Sequence, residues 1–323
     1  MNFSFKALAA GLLAALLMAS TAGAQQYPQK PIRLIVTFGP GSGADTIARI
    51  LGDELSKQLK TGVVIENRAG AGGAIGAGVA ARAAADGYTL LLGATPMTVV
   101  PHMQAAPQYD PVKDFVPIVK VAELPLMLIT AENAPYKSFK ELIAYARANP
   151  GKLTYATSGK GSPSHLGVEL IRQAAKIDVR DVPYTSGGQA MTDTLGGQVS
   201  FYFPAVTAAL AQTGSGKARA LALGAASRSS RAPDVPTIAE ELGVSGLEVI
   251  TWYGLFAPKG TSKDIVDRIY AETSKIMESA GVQERIRGTG ADVAVAAPQE
   301  FGAQVRADNA KYARIVRELG LKE

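Results

Sequence analysis

Between Ile32 and Phe38 the chain is apolar at nearly every position, the pattern of a strand buried on both faces. Ile47, Ile50, Leu51, Leu55 and Leu59 then recur at helical spacing and predict an amphipathic helix. Val63–Ile65 reads as a second strand. A glycine-rich loop from Gly70 to Gly73 opens a helix predicted to run to about Asp86-Gly87, and Thr89–Leu92 is a third strand. Short β-branched runs alternating with helical runs predict parallel α/β layers.

A second series begins after a proline-punctuated stretch from Pro101 to Pro125. Leu126–Ile129, Leu153–Ala156, Val199–Phe203 and Ala220–Leu223 read as strands. Ser138-Phe-Lys-Glu141 has the form of a capping box, and its helix should stop at Asn149-Pro150-Gly151. Arg231–Thr237 reads as a loop, Val249–Ala257 as an extended run, and Thr261-Ser-Lys-Asp264 as the cap of the C-terminal helices. Two α/β lobes joined by extended crossings near 116–129 and 249–257 account for this order. The expected division is residues 25–123 with 248–323 in one lobe and 124–247 in the other, the C-terminal helices returning to the first.

The first residues fit an export signal. Lys6 precedes an apolar run from Ala7 to Ala19, and Ala22-Gly23-Ala24 is a small-residue cleavage site, so residues 1–24 are expected to be removed. That run is too short for a spanning helix, which needs roughly 20 apolar residues. The chain has no cysteine, so stability must come from packed cores. The net charge of +5 is dispersed, with no run of like charge to suggest nucleic acid as a partner.

The segment Gly39-Pro-Gly-Ser-Gly-Ala-Asp45 joins the first strand to the first helix. Gly39, Gly41 and Ala44 satisfy the dinucleotide fingerprint, and Glu66 could serve as its ribose acid. Against that oxidoreductase reading, Pro40 removes a donor, Asp45 would face a pyrophosphate, and the leader has no twin-arginine pair. The same segment suits an anion site, because a helix start offers free N–H groups and partial positive charge. Ser42 with Asp45 also reads as a capping box. Thr157-Ser-Gly-Lys-Gly-Ser-Pro-Ser-His165 repeats the arrangement, with Ser162 at the N-cap and Pro163 first in the helix. Tyr184-Thr-Ser-Gly-Gly-Gln189 offers a third such start.

Catalytic patterns are missing: no cysteine nucleophile, no G-x-S-x-G, no H-E-x-x-H, and only His102 and His165 as histidines. Ser162 and Ser164 beside His165 suggest a nucleophile, but neighbours in the first turn of one helix do not make a triad. An exported hydrolase on an α/β scaffold is the first alternative and the oxidoreductase the second. No metal and no cofactor are expected.

Pro31-Ile-Arg-Leu-Ile-Val, Glu66-Asn-Arg, Asp86-Gly-Tyr-Thr-Leu, Gly161-Ser-Pro-Ser-His-Leu, Val182-Pro-Tyr, Gly196-Gly-Gln-Val, Pro233-Asp-Val-Pro-Thr and Trp252-Tyr-Gly-Leu-Phe-Ala-Pro follow one another in order. Together with the Gly39–Asp45 loop they resemble the Bug family, periplasmic receptors of tripartite tricarboxylate transporters. The resemblance implies a type II periplasmic-binding-protein fold, two α/β lobes joined by two crossing strands and closing on a small carboxylate without cofactor or metal. It places Phe38, Gly39, Ser42, Ala44, Asp45, Thr95 and Pro96 on one side of the ligand. Ser158, Gly159, Ser162, Ser164 and His165 stand on the other, with Thr185, Ser186 and Gly187 lining the side. Many members carry an aspartate where this chain has Ser200 or Phe203-Pro204-Ala205. Its loss implies a more apolar far end, suited to a dicarboxylate or aromatic acid and not to an amino acid. The expected partners are membrane transporter subunits or a sensor protein, and the expected state is a periplasmic monomer.

Overall fold

The computed structural model describes residues 27–322 except Ser158, Lys160, Thr185, Ser230, Ser245 and Gly246. The proposed leader, residues 1–24, lies outside the described residues, as do the site candidates Ser158 and Thr185.

In the first half of the chain, β1 (Ile32–Val36) leads to α1 (Gly43–Leu59), β2 (Val63–Asn67), α2 (Ala74–Ala81), β3 (Thr89–Ala94) and the single turn α3 (Val100–Met103). β4 (Phe115–Pro125) and β5 (Met127–Ala131) follow in close succession. Then come α4 (Phe139–Ala148), β6 (Thr154–Thr157), α5 (Pro163–Ala175), β7 (Arg180–Pro183), α6 (Gly187–Leu195), β8 (Phe201–Tyr202), α7 (Val206–Gly214), β9 (Ala218–Leu223) and α8 (Ile238–Leu242). The chain ends with β10 (Ile250–Pro258), α9 (Lys263–Met277), α10 (Ala280–Gly288), β11 (Asp292–Ala296) and α11 (Pro298–Glu318).

Two sheets form, one in the order β11-β4-β10-β3-β1-β2 and the other β7-β6-β8-β5-β9. Each is mixed, which corrects the expectation of parallel layers. β1 runs parallel to β2 and β3, but β10 is antiparallel to both β3 and β4. In the second sheet β6 is parallel to β7 and β8, whereas β5 is antiparallel to β8 and β9. The reason is connectivity: strands that enter from the other sheet arrive without a crossover helix, so nothing makes them parallel.

The apolar run at 32–36 does face two cores. Ile32, Leu34 and Val36 join a cluster with Ile47, Leu51 and Leu55 of α1, while Ile35 packs on the other face with Trp252, Phe256 and Phe301. All five periodic residues of α1 are buried. The second sheet is likewise covered on both faces, by clusters around Tyr155, Phe201 and Phe203 and around Met127, Ile129 and Tyr202.

The sheets meet where two segments cross side by side. Leu126 donates its N–H to Val249 O (3.3 Å), and Val249 donates to Gly224 O (2.7 Å). A second tie is apolar: Leu166 and Leu170 of α5 pack against Val99, Met103 and the end of α11 at Tyr312, Ile315 and Val316. The C-terminal helix therefore touches the second sheet's helices as well as the first sheet.

The extended crossing expected near 116–129 is there as the eleven-residue strand β4, which stays paired to β10 through a register shift beside Pro117. Several local expectations are corrected. The helix after Gly70–Gly73 stops at Ala81. Ser138 accepts from Glu141 N, but Glu141 returns to Lys137 N, so only half the capping box forms there. A complete one joins Thr237 and Glu240, at the end of the stretch read as loop. Thr261 does not cap α9; its hydroxyl donates to Pro258 O.

Candidate functional site

The segments 39–45 and 159–165 fold alike. In each, a glycine turn with positive φ (Gly41 at 80°, Gly161 at 75°) precedes an extended N-cap serine. Ser42 N donates to Gly39 O (3.3 Å) and Ser162 N to Gly159 O (3.2 Å). Each serine Oγ accepts from the N–H three residues on, Asp45 (3.2 Å) and His165 (3.3 Å). Each of those residues then reaches back to the glycine: Gly41 N–H donates to Asp45 Oδ2 (2.9 Å) and Gly161 N–H to His165 Nδ1 (3.3 Å). One turn is thus braced by a carboxylate and the other by an imidazole. The result is two ordered helix starts, one on each sheet's carboxyl side, each with partial positive charge.

Asp45 is 3 % exposed, and both its oxygens are occupied. Oδ1 accepts from Asn67 Nδ2 (2.9 Å) and lies 3.0 Å from Arg49, whose Nε donates to Oδ2 (3.0 Å). Burial opposes its ionisation, but hydrogen bonds from Arg49, Gly41 and Asn67 outweigh this and hold the carboxyl below the usual carboxylate range. It is a brace for the turn, with the charge answered internally. The reciprocal bond goes to Gly41 N, so this is not the capping box expected with Ser42. It also takes a donor that a pyrophosphate would need, and Glu66 is paired with Arg33 and Arg68; both facts weigh against the dinucleotide reading.

His165 is buried beside Tyr155, ring centroids 6.4 Å apart and stacked. Tyr155 donates to Glu169 (2.8 Å), which also accepts from Arg172 (2.7 Å). Ser162 and Ser164 hydroxyls share a hydrogen bond (3.1 Å). With Nδ1 committed to Gly161, the imidazole positions backbone.

A cleft of about 390 Å³ lies between the two sheets' elements. From the first side it is lined by Phe38, Pro96, Val100, Met103 and Gln104, with Ala71 and Gly72 of the glycine-rich loop. From the second, Gly161, Ser162 and Pro163 face them. Phe38, Pro96 and Ser162 thus line one cleft. Gly39 sits in the open, where even an added Cβ would touch nothing within 4 Å. Ala44 points its methyl into the core. Thr95 is tied into the crossing strand: its hydroxyl donates to Ile250 O (3.2 Å) and accepts from Trp252 N (2.9 Å). Ser186 caps α6 beside Gly187, which lies next to the Tyr202 hydroxyl.

The far-end residues are placed elsewhere. Phe203 is fully buried in the second core, its ring against Gly167 and Gly224. Pro204 O accepts from Met127 N, and Ala205 bridges to Leu126. The cleft's apolar wall comes instead from Phe38, Pro96, Val100 and Met103, so its source is corrected. Ala71, Gly72, Val100, Met103 and Gln104 were not read from the sequence as site residues. The Gly70–Gly73 run was the available signal, read there as a helix-opening loop and not as part of the site.

Among known proteins, the model of the tripartite tricarboxylate transporter family receptor matches residues 47–321. BugT of Bordetella pertussis is 36 % identical over 307 residues, covering 94 % of each chain. A solved R. palustris protein, Rpa4515 with adipate, is 30 % identical, with 91 % of this chain and 98 % of that one covered at TM-score 0.75. A TctC solute-binding protein from Polaromonas, solved with no ligand, is 27 % identical, with 90 % and 99 % covered at TM-score 0.82.

Proposed function

The chain belongs to the Bug family of tripartite tricarboxylate transporter receptors, and we propose that it captures a small carboxylate in the cleft between two lobes, in the periplasm. The lobes are residues 25–123 with 248–323, and 124–247. The observation that carries this reading is the pair of matched turns, each presenting a serine-capped helix start, with Ser162 lining a cleft shared by both sheets' elements. Such helix starts accept small anions, carboxylates among them. Adipate in the R. palustris relative is a carboxylate of this class.

No chemical step is involved. A ligand that meets both helix starts only when the lobes are closed has higher affinity for that state and shifts the equilibrium towards it. The ligand-binding set is Phe38, Gly39, Ser42, Pro96, Gly159, Ser162 and Ser164 with the backbone of Ala44, while Asp45, His165 and Thr95 hold the walls. The apolar wall favours a dicarboxylate or aromatic acid over an amino acid. Aspartate binding more tightly than every non-amino carboxylate would overturn that preference. The closed monomer is then read by membrane transporter subunits or a sensor.

A thermal-shift screen against a carboxylate library tests the reading. At a hundredfold excess over Kd a ligand adds about 2.7 kcal/mol of apparent stability, a rise of several degrees. Ser162→Asp and Ser42→Asp each place a negative charge at a helix start and should weaken binding of the best hit about tenfold or more, as an electrostatic reversal at short range implies. Unchanged calorimetric affinity in both variants would refute the site.

A further inference from the structure

Gln104 follows the last turn of α3 in an extended conformation (φ −86°, ψ 140°) and lines the cleft. Its Oε1 is buried and has no hydrogen-bond partner. Three other side-chain atoms among the described residues share that condition, on Arg219, Thr273 and Ser274, and none of those residues lines the cleft. Folded proteins leave few buried acceptors unpaired, because the desolvation is then uncompensated. No donor of the surrounding wall reaches it: the side chains of Phe38, Pro96, Val100 and Met103 carry none, and the backbone N–H groups of Ala71 and Gly72 do not bond it. Across the cleft Pro163 has no N–H, and the Ser162 hydroxyl is engaged with Ser164 and the His165 N–H.

The donor that satisfies Gln104 therefore arrives with the ligand. We propose that Gln104 is a specificity-determining residue, and that the cargo is a carboxylate whose hydrocarbon body lies on the apolar wall and carries a hydroxyl or amide N–H for the Gln104 oxygen. This rests on the carboxylate-receptor reading above and adds what that reading leaves open, the second polar group of the ligand. A site built to hydrogen-bond a hydroxyl rejects the analogue lacking it far more strongly than an apolar pocket rejects an extra methylene.

Matched probes test this: succinate against malate, and benzoate against 4-hydroxybenzoate, titrated calorimetrically into the full chain. The wild-type protein should prefer the hydroxylated member of at least one pair by about tenfold or more. Gln104→Leu should bring that ratio close to one, and Gln104→Met should do the same should the leucine variant fold poorly. Gln104→Glu keeps an acceptor and should keep the ratio while weakening both members. The ligand-free leucine or methionine variant should also melt higher than wild type, because an orphaned polar atom is replaced by an apolar one. A ratio unchanged by the substitution, or a lower melting temperature in both apolar variants, overturns the role of Gln104 while leaving the receptor reading intact. Binding of no carboxylate at all overturns both.

Discussion

Replacing Asp45 by alanine should both destabilise the protein and weaken its ligand binding. The substitution removes a buried carboxylate that accepts from Gly41 N, Arg49 and Asn67. Hydrogen bonds to charged groups contribute about 1.5–3 kcal/mol each, but Arg49 is half exposed and its share is screened. A loss of about 3 kcal/mol is expected, read by chemical denaturation. Affinity for the best carboxylate should fall as well, because the 39–45 turn loses its brace and its N–H groups are no longer held in place. Asp45→Asn keeps the shape and should lose less of both. The pH dependence follows from the lowered folded-state pKa. Such a group adds stability above its unfolded value, about 3.9, and that stability is lost as pH falls through the folded value. Ligand-free wild type should therefore lose an increment of stability below about pH 4 that Asp45→Asn lacks. Identical profiles for the two proteins would show that the carboxylate's charge contributes nothing.

The same residue marks how far the sequence could be read. Gly39–Asp45 and Gly159–His165 were visible as strand-to-helix turns because glycine and serine spacing is a local signal. That Asp45 and His165 play one structural role was not visible, since a carboxylate and an imidazole share no sequence pattern and only their return to the glycine N–H makes them equivalent. Local periodicity also located α1 and both faces of β1. It could not reveal the antiparallel entry of β10 between β3 and β4, which depends on chain crossing. Phe203 illustrates the opposite failure. The resemblance put it at the far end of the pocket, but burial is decided by what packs on it, here Gly167 and Gly224. The cleft wall at Val100, Met103 and Gln104 comes from a four-residue turn, too short for any periodic signature.

Glycine at 254 looks as unremarkable in sequence as glycine at 39, yet alanine at the two positions should differ sharply. Gly254 lies in the crossing strand β10 and pairs with Gly93 of β3. A Cβ there would meet the Phe301 ring and would stand 2.8 Å from Val119 O. Phe301 is fully buried, with centroids 5.2 Å from Trp252 and 5.0 Å from Phe256. The ring has little room to retreat, and the carbonyl belongs to a paired strand. Overpacking of this kind costs 1–3 kcal/mol and occasionally more, and Gly254→Ala should sit near about 3 kcal/mol, lowering the melting temperature by roughly 6 °C. Gly39→Ala, with open space around it, should change stability by less than about 0.5 kcal/mol. Phe301→Ala alone should cost about 3–5 kcal/mol through the cavity it leaves. Combined with Gly254→Ala, the losses should fall short of their sum, because removing the ring removes one of the two clashes. Full additivity would mean that the carbonyl of Val119, and not the aromatic cluster, is what reserves this position for glycine.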